Sequence, residues 1–169
     1  GIAGAVLSTL ISLCIFLAYG TTASVARRIG AGDLRGALVQ GLDGVWLAAA
    51  IGAATTVLGV PLAPLLVRLF AAEAPTTDAA QTYLRIGVLG AVPLLVALAT
   101  TGILRGLQDT RTPLVVAVAG NLVNVALNLW LVYGLDLGIA GSAIGTVIAQ
   151  SGSAAALAVV VVRAARRYD

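Results

Sequence analysis

The sequence predicts an all-α, polytopic transmembrane helix bundle, and three observations carry that prediction. Of the 169 residues, 60% are hydrophobic and 10% are charged, and the mean hydropathy is +1.04. A soluble domain carries roughly 25% charged residues. A soluble fold of this size has too little interior for so much apolar surface, whereas lipid solvates it. The apolar residues also fall into five runs, each long enough to cross ~30 Å of hydrocarbon as a helix of ~20 residues. Finally, all ten basic residues are arginines, and they gather at the ends of those runs.

The five spans are residues 2–26, 36–61, 79–104, 113–133 and 138–162, the second with an amphipathic extension to Phe70. Backbone in hydrocarbon must satisfy its own N–H and C=O groups, so these runs are helices. The connections are short. Residues 27–35 hold Arg27, Arg28, a Gly-Ala-Gly-Asp sequence and Arg35. Residues 71–78 hold Glu73, Pro75 and Asp78, with Thr76 or Thr77 placed to cap the third helix. Residues 105–112 form the most polar loop, and residues 134–137 form a tight turn. Pro93 falls inside the third span and should kink it, because it lacks a backbone donor and crowds the preceding turn. Gly141 and Gly145 make a GxxxG pattern that lets helices approach closely, and packing is its simplest reading.

Counting arginines orients the chain. Arg27, Arg28, Arg35, Arg105, Arg111, Arg163, Arg166 and Arg167 fall on one side. Arg68 falls on the other, and Arg85 lies within the third span nearer that side, where it can snorkel outward or pair with an acid. The positive-inside bias places residue 1 outside and residue 169 in the cytoplasm, in a multi-pass protein of the plasma (inner) membrane. An odd number of spans with an outside start implies a preceding helix that this chain lacks.

Several function classes are excluded. There is no basic stripe with interleaved aromatics on a soluble domain, so no nucleic-acid partner is expected. With no His and a single Cys14, neither a zinc site nor a Ser-His-Asp set can form. No phosphate-binding loop with Lys-Ser or Lys-Thr is present. The expectation is a non-enzyme without a metal or an organic cofactor, whose partners are the bilayer and small molecules.

The polar residues inside the spans are the candidates for chemistry. Asn121, Asn124 and Asn128 are spaced by three and four, which puts them on one face of the fourth helix. Amides are costly in lipid, so that face should look into a bundle or a water-filled cavity. Interhelical hydrogen bonding, worth roughly 0.6–2 kcal/mol, is the alternative reading. Asp43 sits about two turns into the second span, with Gln40 before it. If buried, it could carry a proton; the simpler reading is an interfacial acid that reaches water or pairs with Arg35 or Arg111. Arg105, Asp109 and Arg111 form a charge cluster, readable as a cytoplasmic gate or as a solvated anchor. Trp46 and Trp130 read as packing or cavity lining.

Two segments point to a family. One is Tyr19-Gly-Thr-Thr-Ala-Ser-Val-Ala-Arg-Arg-Ile-Gly-Ala-Gly-Asp33. The other is Leu104-Arg-Gly-Leu-Gln-Asp-Thr-Arg-Thr-Pro113, followed by Asn121-Leu-Val-Asn124-Val-Ala-Leu-Asn128 and Gly138-Ile-Ala-Gly-Ser-Ala-Ile-Gly-Thr146. Together they resemble the multidrug and toxic compound extrusion (MATE) family in its bacterial DinF-like branch. The resemblance implies twelve helices in two six-helix lobes, with this chain matching helices two to six of the N-terminal lobe. The first helix and the C-terminal lobe would then be absent, and would be the chain's other partners. It implies a secondary-active efflux antiporter that exports organic cations or amphipathic drugs in exchange for H+ or Na+ by alternating access. In that branch, the fourth span's helix carries an Asn and, four residues on, an acid of an ion-linked polar cluster. Asn124 matches the Asn, Thr146 matches a further cluster position, and Asn128 stands where the acid is expected. An amide cannot titrate, yet it can still coordinate through its carbonyl oxygen. Three other readings compete. A lipid-linked oligosaccharide flippase or polysaccharide exporter of the same superfamily would want more basic residues within the spans. An intramembrane enzyme would need convergent catalytic groups. A structural membrane subunit predicts that the Asn face affects stability alone.

Overall fold

A computed structural model of the protein describes residue 16, residues 20–70 and residues 74–166. Among the described residues, the first helix, α1, covers 20–30. It is followed by α2 (Leu34–Phe70), α3 (Ala74–Gly87), α4 (Ala91–Gly106), α5 (Arg111–Leu129) and α6 (Gly138–Arg166). Four segments of the described chain are long and apolar enough to cross a membrane: Leu34–Leu65, Ala79–Gly106, Arg111–Gly134 and Gly138–Arg166. They correspond to the second through fifth expected spans. Most of the expected first span lies outside the described residues, and only its last turns appear, in α1.

Burial is inverted relative to a soluble protein. Only 6% of the α5 span and 11% of the α2 span is buried, against 33% for Ala79–Gly106 and 28% for α6. Helices α4 and α6 are therefore central, with α2 packed on α4 and α5 packed on α6. The remaining apolar surface faces outward, and Trp46 (77% exposed) and Trp130 (60% exposed) project from it. Neither tryptophan is packing inside the bundle.

The face of α2 toward α4 and the turn before it is built from small residues one or two helical turns apart. A Cβ at Gly41 would strike Ile103, one at Gly52 would come 2.6 Å from the Val92 Cα, and one at Gly59 would strike Val88. Ala48 is fully buried on the same face against Leu95 and Ala99. Close backbone approach of this kind holds helices together where lipid removes the hydrophobic drive. At the arginine-rich end, Val25, Leu38, Ile103, Leu104, Leu157 and Val161 form a cluster that ties α1, α2, α4 and α6.

Two boundaries differ from expectation, at the start of α3 and within the third span. The amphipathic extension of the second span is, as expected, continuous with α2. α2 runs through Pro61 and Pro64 to Phe70, 37 residues or about 55 Å. The helix tolerates these prolines because one missing donor is offset by the continuing ladder on both sides. α3 begins at Ala74, so Pro75 takes the first helical turn, where its missing N–H costs nothing, and Thr76 and Thr77 lie inside the helix instead of capping it. The third span is interrupted by a 3-10 turn at Val88–Gly90, just ahead of Pro93. Proline cannot donate to the carbonyl four residues back, so the turn tightens there. Thr56 on α2 donates to the Val88 carbonyl at 3.0 Å and latches the break.

Two matched elbows shape the arginine-rich end. α1 closes with Gly32 N–H to the Ile29 carbonyl and Asp33 N–H to the Arg28 carbonyl. α4 closes with Gln108 N–H to the Arg105 carbonyl and Asp109 N–H to the Leu104 carbonyl. Both are Schellman closures around a left-handed residue, Gly32 at φ 78° and Gln108 at φ 64°. In each, the following aspartate turns to the next helix. Asp33 Oδ1 accepts from Gly36 N–H at 2.8 Å, and Asp109 Oδ1 accepts from Thr112 N–H at 3.0 Å.

Candidate ion- and substrate-binding site

The polar residues of the fourth and fifth spans converge where α5 crosses α6. Asn124 Nδ2 donates to Thr146 Oγ1 at 3.2 Å, and Thr146 Oγ1 donates to the Ser142 carbonyl at 2.9 Å. Asn128 Nδ2 donates to Asn124 Oδ1 at 3.1 Å. The result is a directed ladder: amide to amide, amide to hydroxyl, hydroxyl to backbone. One end is satisfied by the Ser142 carbonyl. At the other end, Asn128 Oδ1 is buried with no hydrogen-bond partner among the described residues. A buried acceptor left without a donor costs about 1–3 kcal/mol.

The glycine pattern on α6 explains how the ladder fits. A Cβ at Gly145 would lie 2.7 Å from Asn128 Oδ1, and a Cβ at Gly141 would lie 3.0 Å from the Leu131 carbonyl group. Sequence reasoning placed these glycines in packing, and they do pack α6 on α5. Gly145 also leaves the slot into which the Asn128 carbonyl points, and the adjoining Ser142 supplies the ladder's terminus. The Ser142/Thr146 spacing of four was the signal that could have revealed this second role. Beside the ladder lies a groove of about 380 Å³ lined by Asn128, Leu129, Val132, Tyr133, Ile139 and Ser142. Asn128 stands 17 residues after Arg111, about 26 Å along α5, so the groove opens toward the end away from the arginines.

The other expected residues are not brought into the ladder. Asn121 is exposed, and its Nδ2 turns back to the Ala117 carbonyl at 2.9 Å. It shares the face but not the network. Asp43 is exposed on α2 and makes no hydrogen bond or ion pair among the described residues. The proton-carrier reading rested on burial, and within this chain the Asp43 side chain is exposed. Gln40 is taken by Arg28 Nε. Arg85 is exposed, 21 residues or about 31 Å before the end of α4, at the boundary opposite the arginine-rich end.

Arg105, Asp109 and Arg111 are neighbours without being an ion pair. Asp109 Oδ2 accepts from Thr112 Oγ1 at 2.6 Å, while its other oxygen takes the Thr112 N–H. The Thr112 hydroxyl, then the Thr112 and Arg111 backbone donors, hold the Asp109 carboxyl below the usual range. Asp33 is likewise lowered, by the Gly36 N–H and then by Arg28, whose Nη1 lies 3.0 Å away. Both acids serve as helix starts. Among the described residues, no three His, Cys, Asp or Glu come together in a way that suits a metal ion.

Comparison with known proteins gives the family. The MatE family model matches residues 1–130. The chain is 35% identical to the DNA damage-inducible protein F of Escherichia coli over 146 residues, which is 85% of this chain and 31% of that protein. It is 28% identical to a probable multidrug resistance protein NorM of Thermotoga maritima, over 80% of this chain and 30% of that one. Among solved structures, an inward-facing multidrug resistance MATE family transporter of the MOP superfamily superposes with a TM-score of 0.83 at 29% identity, covering 90% of this chain and 35% of that one. An outward-facing transporter of the same description gives 0.82 at 28% identity, covering 94% and 35%. The chain spans about a third of the length of these relatives. The relatives are membrane transporters, and the transmembrane helices, the matched family model and the shared fold agree: the chain belongs to the MatE family.

Proposed function

We propose that this chain is a partial N-terminal lobe, equivalent to helices two to six, of a secondary-active multidrug efflux antiporter in the plasma membrane. The transporter would export organic cations or amphipathic drugs against inward flow of a coupling cation, with the arginine-rich end in the cytoplasm. The observation that carries this reading is the Asn124–Asn128–Thr146 ladder inside apolar spans, ending on a buried carbonyl with no donor. A polar group kept unsatisfied at membrane depth points to a ligand that completes it.

The residues present favour one coupling ion over the other. A carbonyl oxygen is a hard ligand that suits a small cation such as Na+, and it offers the same acceptor to the N–H of an organic ammonium. No member of the ladder releases or takes a proton near neutral pH. We therefore assign Na+ to this cluster, with Asn128 Oδ1, Asn124 Oδ1 and Thr146 Oγ1 as the oxygens that would meet it. Alternating access requires a lobe that moves as one body, and it supports the reading that the same helices match inward- and outward-facing transporters equally well. The gradient drives export if ion and drug favour different states.

The test uses the intact transporter in inside-out vesicles. A fluorescent cationic drug should accumulate when a sodium gradient is imposed, and accumulation should fall at least tenfold in Asn124→Leu. Accumulation that follows a proton gradient alone would overturn the ion assignment. No gradient-linked uptake across a panel of cationic drugs would overturn the export reading.

A further inference from the structure

The arginines at one end of the bundle exceed what the fold uses. Arg27 closes α1, Arg105 ends α4, Arg111 opens α5, and Arg163 and Arg166 end α6. All five are exposed, and none has a side-chain partner among the described residues. They share one end, because α1, α2, α4 and α6 meet there in the Val25–Leu104–Val161 cluster, with Val116 of α5 packed against it.

Among the described residues, the acids at this end do not neutralise them. Asp33 is held by Arg28 and the start of α2, and Asp109 is spent on Thr112. Arg111 also stands in the first turn of α5, where the helix macrodipole disfavours a cation. Helix stability therefore does not account for its charge, and an external anion would. The rim borders the ends of the apolar spans directly, and the phosphates of a bilayer around those spans would meet it there.

We propose that this arginine rim binds anionic phospholipid headgroups of the facing leaflet, with Arg27, Arg111 and Arg166 as principal contacts. The chemistry fits: a guanidinium fork takes two phosphate oxygens at once, and clustered basic residues beside a transmembrane helix attract anionic lipid. The proposal does not depend on which ion or drug the transporter carries.

The test places the intact protein in bilayers of phosphatidylglycerol and phosphatidylcholine. Electron spin resonance then compares how strongly spin-labelled forms of the two lipids are immobilised. Phosphatidylglycerol should be preferred, and the preference should collapse in about 0.5 M salt, where the screening length shrinks to a few ångströms. The R27Q/R111Q/R166Q variant should lose roughly tenfold or more of the relative affinity. R85Q, at the opposite boundary, should keep it. Equal immobilisation of both lipids in the wild type would overturn the proposal. So would a preference that survives both the salt and the triple substitution. Displacement by inorganic phosphate at matched ionic strength would identify a free-anion site and overturn the lipid assignment.

Discussion

Replacing the ladder's amides with leucine separates a structural role from a binding role. Asn128→Leu removes a buried orphan, Asn128 Oδ1, but creates another, because Asn124 Oδ1 loses its only donor. These two terms, each about 1–3 kcal/mol, largely cancel. What remains is the lost hydrogen bond, roughly 0.6–1.7 kcal/mol for a side-chain bond in a membrane. Leucine is close in volume to asparagine's slot only because Gly145 presents no Cβ there, and any crowding of its methyls adds to the loss. Adding Asn124→Leu then removes the second orphan as well, while Thr146 keeps its own bond to the Ser142 carbonyl. The double variant should therefore be less destabilised than the sum of the singles, by about 1 kcal/mol or more. Thermal unfolding of the intact protein in one detergent, run as a double-mutant cycle, reads this coupling. Strictly additive losses would refute the ladder as described, and so would a single Asn128→Leu loss above about 4 kcal/mol.

The packing and the elbows set the outcome of five further substitutions. Gly52→Ala should lower the unfolding midpoint, because the new methyl meets the Val92 backbone, which cannot yield, at about 1–3 kcal/mol of overpacking. Gly152→Ala, with open space around it, should leave the midpoint unchanged or raise it by up to about 1 kcal/mol. Gln108→Gly should stabilise by about 1 kcal/mol, since the left-handed backbone at φ 64° costs a non-glycine residue about that much, whereas Gly32→Ala should destabilise at the matched position. Asp109 is lowered in the fold, so its stabilisation is present above the ordinary carboxylate pKa near 4 and fades as pH falls through and below it. Asp109→Ala should accordingly lose about 1 kcal/mol at neutral pH and flatten the acid limb of the unfolding profile.

The spans were legible because lipid selects on a simple quantity, uninterrupted apolar length, and four of them appear almost as bounded by hydropathy. Their ends were less legible. The start of α3 at Ala74 and the 3-10 turn at Val88–Gly90 depend on how neighbouring turns continue the ladder, which a local rule about caps or proline does not contain. Periodicity put Asn121, Asn124 and Asn128 on one face correctly, but a face is not a network. Asn121 turned back to its own helix because no partner on α6 faces it, whereas Asn124 met Thr146. Asp43 shows the same limit: its position within a span left a buried and an interfacial reading open, and position alone does not say that it lies on an exposed face of α2. The twin Asp33 and Asp109 elbows were readable in retrospect from the Gly-x-Gly-Asp-x-Arg and Gly-x-Gln-Asp-x-Arg sequences. The second escaped notice because Gln108 takes the position that glycine normally marks.

The most direct test of the cation-binding ladder is sodium-dependent thermal stabilisation of the intact transporter, with choline replacing sodium at constant ionic strength. The account predicts a midpoint that rises with sodium in the wild type, little or no rise in Asn128→Leu, and an unchanged response in Asn121→Leu, which lies outside the network. A wild-type midpoint indifferent to sodium, or a full sodium response in Asn128→Leu, would contradict it.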